Sequence, residues 1–113
     1  PRRGAGAHPH PAEMTRLTFH PEALAEFEAA VVHYEHEQPG LGARFVASIE
    51  SALDRIADAP ESWPELAPGI RRHLARVFPY AILYADVDGD ITILAVMHCH
   101  RRPGYWRHRA SQD

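Results

Sequence analysis

Residues 69–106 read GIRRHLARVFPYAILYADVDGDITILAVMHCHRRPGYW, and this stretch decides the fold because it divides into three strands and a basic, aromatic exit. The strands are predicted at 70–77, 80–87 and 91–98. Phe78-Pro79 separates the first two, and Asp88-Gly89 is the signal of a two-residue hairpin between the last two. The second and third strands are apolar on both faces. That pattern is typical of strands that are covered on both sides or lie centrally in a small curved sheet.

The third predicted strand alternates in a simple way. A period of two divides it into two faces, Ile91, Ile93, Ala95 and Met97 against Thr92, Leu94, Val96 and His98. We therefore expect Val96 and His98 to lie on the face opposite Ile91.

The residues before this stretch predict a short strand and two helices. A strand is expected at 15–19, a helix begins after His20, and Gln38-Pro39-Gly40 ends it. A second helix opens at Leu41, and helical spacing predicts a core stripe formed by Phe45, Ile49, Ala52, Leu53 and Ile56. The fold class is therefore α+β, in the order strand-helix-helix-strand-strand-strand. The helical hairpin packs on a curved, mostly antiparallel sheet, and Trp63 is expected to pack under the loop that follows the helices.

Length and composition predict one ordinary domain. We expect a disordered or added extension at 1–13, the domain at 14–109 and a flexible tail at 110–113. Cys99 is the only cysteine, which excludes an intrachain disulfide and favours a reducing, cytoplasmic location. No apolar run reaches the ~20 residues that a bilayer-spanning helix needs, so no membrane partner is expected.

Positive charge is concentrated in the second half of the chain. Residues 14–68 carry three arginines against ten acidic residues, and 69–113 carry seven against four. The basic residues predicted to bind an anion or a partner are Arg71, Arg72, His73, Arg76 and Arg102, and Trp106 is predicted to bind with them. A solvated sheet edge that charge protects from aggregation is the alternative interpretation of the basic strand.

Several motifs, taken in order, resemble RelE/ParE superfamily toxins of bacterial type II toxin–antitoxin systems, the plasmid-stabilisation type. They include Pro39-Gly40-Leu41-Gly42, Phe78-Pro79-Tyr80 and the segment 94–102. The resemblance runs from Phe19 to Trp106. It implies a RelE/ParE-like fold and a toxin that a cognate, ParD-like antitoxin neutralises in a hetero-oligomeric complex. RelE-like members cleave mRNA on the ribosome, and ParE-like members poison DNA gyrase.

Nuclease chemistry needs a general base, an acid and cations, and His98, Tyr105 and Arg101 or Arg102 are the available set. If the protein is an enzyme, it is expected to be a metal-independent mRNA endoribonuclease with His98, Arg101 and Tyr105 as its catalytic residues. Tyr105 falls where RelE-like nucleases carry their C-terminal tyrosine, and packing of Tyr105 and Trp106 onto the sheet is the alternative interpretation of these residues. Cys99 stands where they carry an arginine, and the chain has no lysine. The leading hypothesis is therefore a ParE-like toxin that binds gyrase. An mRNA endonuclease and a non-toxic, degenerate binding module remain the alternatives.

Two further motifs suggest metal binding only superficially. His98, Cys99 and His100 supply too few placed ligands for a metal site. Residues 86–90, DVDGD, lack the glycine and glutamate positions of a calcium loop and fit a charged hairpin turn. We expect neither a metal nor a cofactor.

Overall fold

The computed structural model describes residues 16–110. The elements are β1 (Arg16–Phe19), α1 (Pro21–Glu37), α2 (Leu41–Asp58), a 3₁₀ turn (Pro60–Ser62), β2 (Glu65–Ala67), β3 (Ile70–Leu74), β4 (Tyr80–Val87), β5 (Asp90–His98) and α3 (Arg107–Ala110). The predicted extension at 1–13 and all of the predicted tail except Ala110 lie outside the described residues.

The five strands form one mixed sheet in the order β1-β5-β4-β3-β2. β1 is parallel to β5, and the other neighbours are antiparallel. Both helices pack on one face, where the largest buried side chains include Phe45, Ile49, Ile56, Ile82 and Tyr84. The opposite face carries a second cluster, which contains Leu83 and Trp106. The predicted α+β architecture, with the helical hairpin on one face of a mostly antiparallel sheet, is confirmed.

The two helices cross closely at the predicted Pro-Gly turn. The Glu35 carboxylate of α1 accepts hydrogen bonds from the Gly40 N–H (3.0 Å to Oε2) and the Gly42 N–H (3.0 Å to Oε1). It thereby caps backbone donors at the positive end of α2. A Cβ on Gly42 would lie 2.9 Å from Glu35 Oε1 and 3.0 Å from the Val31 carbonyl oxygen. Position 42 therefore needs glycine for this approach.

A β-bulge breaks the alternation predicted for the third strand. Leu83 pairs with Ala95 and Tyr84 pairs with Ile93, so Leu94 is an extra residue on β5. As a result Val96 joins Ile93 on the helix face, while Ala95 packs in the opposite cluster. The expectation that Val96 lies opposite Ile91 was wrong, because an inserted residue reverses the faces that follow it.

β3 is shorter than predicted, and an additional strand pairs with it. β3 ends at Leu74 rather than at 77, and Val77 adopts a left-handed conformation with φ 78° in the turn before β4. β2, which was predicted to be part of the loop after the helices, lies between Pro64 and Pro68 and pairs with β3. The Trp63 ring lies 4.2 Å from the His73 ring and packs against the helix-face core, as expected for a residue under this loop.

Candidate functional site

The three residues predicted to be catalytic lie at one end of the sheet. His98 is the last residue of β5, and in the turn that follows the Arg101 N–H donates to the His98 carbonyl (3.0 Å). The Arg101 guanidinium carbon lies 3.9 Å from the centroid of the Tyr105 ring, a cation–π contact. The structure therefore brings Arg101 and Tyr105 into contact, next to His98 in the chain.

A groove of about 250 Å³ runs between α1 and β5 at this end, and its lining includes Glu26, His33, Tyr80, Val96, His98 and Arg101. His98 Nδ1 accepts a hydrogen bond from the His100 N–H (3.1 Å), so the proton of the neutral imidazole sits on Nε2. An imidazole can exchange protons near neutral pH, and a guanidinium can pair with an anion. The groove thus holds two of the chemical groups that nuclease chemistry requires.

The third group, the Tyr105 hydroxyl, is engaged in the interior. It donates to Glu26 Oε2 at 2.5 Å. Burial first, and then the hydrogen bond and charge of Glu26, raise the pKa of Tyr105 well above its usual range. A phenol held this way is a poor proton donor to a substrate, because the carboxylate already receives its hydrogen bond. In this conformation the hydroxyl serves as a structural donor.

Glu26 and Arg109 form a buried ion pair beneath the C-terminal segment. Arg109 Nη1 and Nη2 donate to the two Glu26 oxygens at 2.9 and 3.0 Å, and Nη1 also donates to the Leu94 carbonyl (3.0 Å). The Arg109 side chain is only 6% exposed. Burial opposes its charge, but the hydrogen bond and charge of Glu26 outweigh burial and raise the pKa of Arg109. This guanidinium is a fixed part of the fold.

Trp106 does not lie at the surface. Its side chain is 3% exposed and packs on the sheet face opposite the helices, with Leu83, Leu94 and Ala95. The indole therefore anchors the C-terminal segment, and in this conformation it is not available to contact a partner. Arg102, which was predicted with it, is exposed.

The basic residues of β3 do not form one surface, because alternate residues face opposite sides of the sheet. Arg71 Nη1 donates to the Trp63 carbonyl (2.6 Å), and His73 Nε2 accepts from Arg55 Nε (3.1 Å) on the helix side. His73 is 7% exposed, so it is not part of a solvent-facing anion site. Arg72 lies on the other face and is exposed.

The basic residues of β3 and the arginines after β5 come together only in part. β4 lies between β3 and β5 in the sheet. Arg76, in the turn after β3, and Arg101, after β5, lie at the same end of the sheet, since Leu74 and His98 both pair near the start of β4. Arg71 pairs opposite Tyr84, toward the other end of β4.

Glu26 and Arg109, the pair that fixes the C-terminal segment, were not predicted from the sequence. No motif singled out Glu26 among the acids of α1, and Arg109 was expected at the end of the domain, beside the predicted tail. The two residues are 83 positions apart in the chain, so no local spacing signals their contact. The one available hint was that Glu26 precedes Ala30 by four residues, on the helix face that turned out to be buried.

Within residues 16–110, no group of three or more His, Cys, Asp or Glu side chains is arranged to hold a metal ion. Nor is any helix in this part of the chain long and apolar enough to cross a membrane.

Comparison with known proteins gives consistent matches. The family model described as the ParE toxin of the type II toxin–antitoxin system parDE matches residues 17–103. Y4kP, a candidate toxin of Sinorhizobium fredii (strain NBRC 101917 / NGR234), is 32% identical over 88 residues, which are 77% of this chain and 91% of Y4kP. A solved structure of the chromosomal ParDE system from P. aeruginosa superposes with a TM-score of 0.67 at 20% identity. The superposition covers 75% of this chain and 96% of that one, so the two share a fold.

Proposed function

Because the chain belongs to the ParE toxin family of type II toxin–antitoxin systems, we propose that it inhibits growth by binding an essential target, DNA gyrase. A ParD-like antitoxin encoded beside it neutralises it in a hetero-oligomeric, cytoplasmic complex. Gyrase is proposed from the ParE resemblance described above. The antitoxin is proposed from the parDE family match and from the similar structure, which is of a ParDE system.

The observation that carries binding over RNA cleavage is the hydrogen bond from the Tyr105 hydroxyl to Glu26. A ribosome-dependent nuclease needs an acid that can reach the leaving oxygen. Here the phenol donates inward to a carboxylate that Arg109 also holds, and its pKa is raised. The same contacts support a binding role, because they fix the C-terminal segment and leave Arg101, Arg102 and Arg107 exposed on it.

A pair of assays on purified toxin tests this proposal. We expect gyrase-catalysed supercoiling to be inhibited, while translation of a reporter mRNA in a purified ribosomal system continues with the transcript intact. Replacing Arg101 and Arg102 by Gln should weaken gyrase inhibition, because it removes exposed charge from the rigid segment. Arg16→Gln, at an exposed position of β1, removes one charge and is the matched control for the single variants Arg101→Gln and Arg102→Gln, which are assayed beside the double variant.

Two outcomes would overturn the proposal. Ribosome-dependent cleavage of the reporter mRNA, with supercoiling unaffected, would assign the nuclease activity to the groove that holds His98 and Arg101. Harmless expression in bacteria without antitoxin, together with no effect in either assay, would assign the chain to the class of non-toxic binding modules.

A further inference from the structure

A second groove, of about 350 Å³, lies on the far side of the helix layer from the C-terminal segment. It opens between the outer flank of α2 and the turn that joins β3 to β4. Arg44, Ser48, Ser51 and Arg55 recur at spacings of four, three and four, so they form one stripe of α2. Arg76 and Val77 of the turn form the opposite wall. We call this feature the arginine groove.

The lining of the arginine groove carries positive charge only. Arg44, Arg55 and Arg76 line it, and its lining contains no carboxylate. None of the three guanidinium groups forms an ion pair with another residue between 16 and 110. Two of the only three arginines in the acidic segment 14–68 are placed here. Such local concentration of one charge favours an anionic ligand.

Arg55 is held in position but is left with an unused donor. Its Nε donates to His73 Nε2 (3.1 Å), and its Nη1 donates to Ser51 Oγ (2.7 Å). Its Nη2 is buried and has no acceptor among the described residues. A buried N–H without an acceptor is unfavourable, and because this one is closed to solvent a ligand oxygen would reach it only if the guanidinium turned toward the groove. His73 stays a neutral acceptor because burial, and then the charges of Arg55 and Arg76, lower its pKa.

The turn that closes the arginine groove presents an apolar side chain in a strained conformation. Val77 has a φ of 78° and is 87% exposed. A β-branched residue rarely adopts this left-handed conformation, and strain of this kind concentrates at ligand-binding segments. Ser48 Oγ donates to the Arg76 carbonyl (2.7 Å) and fixes the turn on α2. The groove therefore offers guanidinium groups next to a projecting aliphatic contact.

We propose that the arginine groove binds an acidic side chain of the antitoxin, with an adjacent aliphatic residue packed on Val77. The carboxylate pairs with Arg44 and Arg76, and the positive charge of Arg55, which also lines the groove, adds to the attraction. That the partner is the antitoxin rests on the proposed function. The ligand chemistry rests on the groove itself, through its charge and its apolar wall.

A protein carboxylate fits the arginine groove better than a nucleic acid does. Phe78, the one aromatic ring in the lining, is buried and offers no face on which a base could stack. Glu50 and Asp54 are exposed, and they lie three and seven residues after Ala47 of the groove lining. At this spacing they share a side of α2 with Ala47 and border the groove. A polyanion that runs across this border would meet like charge, whereas a single carboxylate would not.

The test measures the affinity of the purified protein for the antitoxin encoded by the neighbouring gene. Arg44→Gln/Arg76→Gln should raise the Kd at least about tenfold, as expected when a desolvated charge pair loses one partner. Arg16→Gln removes one exposed charge elsewhere on the surface and should raise the Kd less than about threefold, whereas Arg44→Gln alone should raise it more. Equal effects of Arg16→Gln and Arg44→Gln would overturn the proposal, since they would indicate only general electrostatic attraction.

A second variant separates binding from folding. Val77→Gly relieves the left-handed strain and removes the apolar contact, so it should keep the melting temperature while weakening antitoxin binding. Unchanged affinity in Val77→Gly would contradict the apolar part of the site. Alanine scanning of the antitoxin's acidic residues should find one whose replacement costs nothing further in Arg44→Gln/Arg76→Gln. Full additivity for every acid would contradict the carboxylate pairing.

The remaining outcomes separate failure of the proposed function from failure of the groove assignment. Failure of the wild-type protein to bind the neighbouring gene product would overturn the proposed function and, with it, the antitoxin as occupant. Binding by the wild type together with unaltered binding by both groove variants would overturn the groove alone. If Arg44→Gln/Arg76→Gln lost affinity for a labelled RNA oligonucleotide but kept antitoxin affinity, the ligand would be nucleic acid and the proposal would fail.

Discussion

The carboxylate of Glu26 and the guanidinium of Arg109 form two hydrogen bonds, of 2.9 and 3.0 Å, across 83 positions of the chain. β1 pairs with β5 only as far as Ile93, so the next part of that edge has no strand beside it within the described residues. The ion pair instead forms hydrogen bonds with the backbone of this part of β5. Glu26 accepts from the Val96 N–H (3.1 Å), and Arg109 donates to the Leu94 carbonyl (3.0 Å).

Replacing Glu26 by Gln should therefore destabilise the protein strongly. The amide leaves the buried Arg109 charge without its counter-charge, and loss of one partner of a buried pair costs about 3–5 kcal/mol. Because the Glu26 side chain keeps some exposure, we expect roughly 2–4 kcal/mol of unfolding free energy to be lost. Urea titration followed by circular dichroism measures it. Glu28→Gln, an exposed change two residues along α1, should cost under about 0.5 kcal/mol. Equal values for the two variants would contradict the structural role of the pair.

Local patterns predicted most of the fold, whereas the contacts that complete it depend on distant residues. The helix boundaries followed from His20-Pro21 and from Pro39-Gly40, because capping and turn chemistry are local. The bulge at Leu94 gave no signal, since the residues around it are apolar on both faces and either register buries them. The three-residue strand β2 could not be predicted for a related reason, because it is a strand through its pairing with β3 and not through a pattern of its own.

The candidate site divides in the same way. His98, Arg101 and Tyr105 are near neighbours in the chain, so their proximity could be predicted. Whether the Tyr105 hydroxyl faces the groove or the interior could not, because that depends on Glu26 in α1. The arginine groove could not be predicted either, because the sequence does not show which flank of α2 meets the turn after β3.

Gly42→Ala tests the close crossing of the helices. In an ordinary helix interior this change stabilises by about 1 kcal/mol. Here the new methyl group would lie 3.0 Å from the Val31 carbonyl oxygen, a backbone atom that cannot move independently. We expect a net loss of about 1–3 kcal/mol in urea unfolding, as for other overpacked positions.

Ala43→Gly, at the exposed neighbouring position, is the control for ordinary helix propensity and should cost about 0.5–1 kcal/mol. An increase in stability for Gly42→Ala would mean that the two helices can separate without loss at this point.

Stability should fall as the pH is lowered through the titration range of histidine. Burial, and then Arg55 and Arg76, lower the pKa of His73 from 6.5. Below about pH 6.5 the unfolded chain therefore binds a proton that the folded protein does not, which favours unfolding. The stabilisation is fully present above that pH and is lost as the pH falls toward the folded-state pKa of His73.

His73→Gln isolates this effect, because a glutamine oxygen can still accept from Arg55 Nε while the titrating group is gone. Urea unfolding between about pH 5.5 and 7.5, above the carboxylate range, should show a shallower pH dependence for the variant than for the wild type. Parallel pH profiles would exclude His73 as the source of acid sensitivity.

Tyr105→Phe distinguishes the proposed binding function from the alternative of RNA cleavage. Loss of the hydroxyl removes one hydrogen bond to Glu26, but Arg109 Nη2 still donates to the same oxygen (3.0 Å). We expect unfolding free energy to fall by about 1–2 kcal/mol and the C-terminal segment to stay docked through Trp106. A binding toxin should therefore keep its growth inhibition and its effect on supercoiling.

A nuclease that uses Tyr105 as its acid would behave differently. Loss of a general acid lowers the rate by about 10²- to 10⁴-fold, which would remove toxicity while the protein remained folded. Growth after induction, transcript integrity at the ribosome and the urea midpoint are measured together for the wild type and Tyr105→Phe. Arg109→Met serves as the destabilised comparison, because it leaves Glu26 unpaired and should lose toxicity through unfolding. A folded, non-toxic Tyr105→Phe whose transcripts are no longer cut would establish catalysis in place of binding.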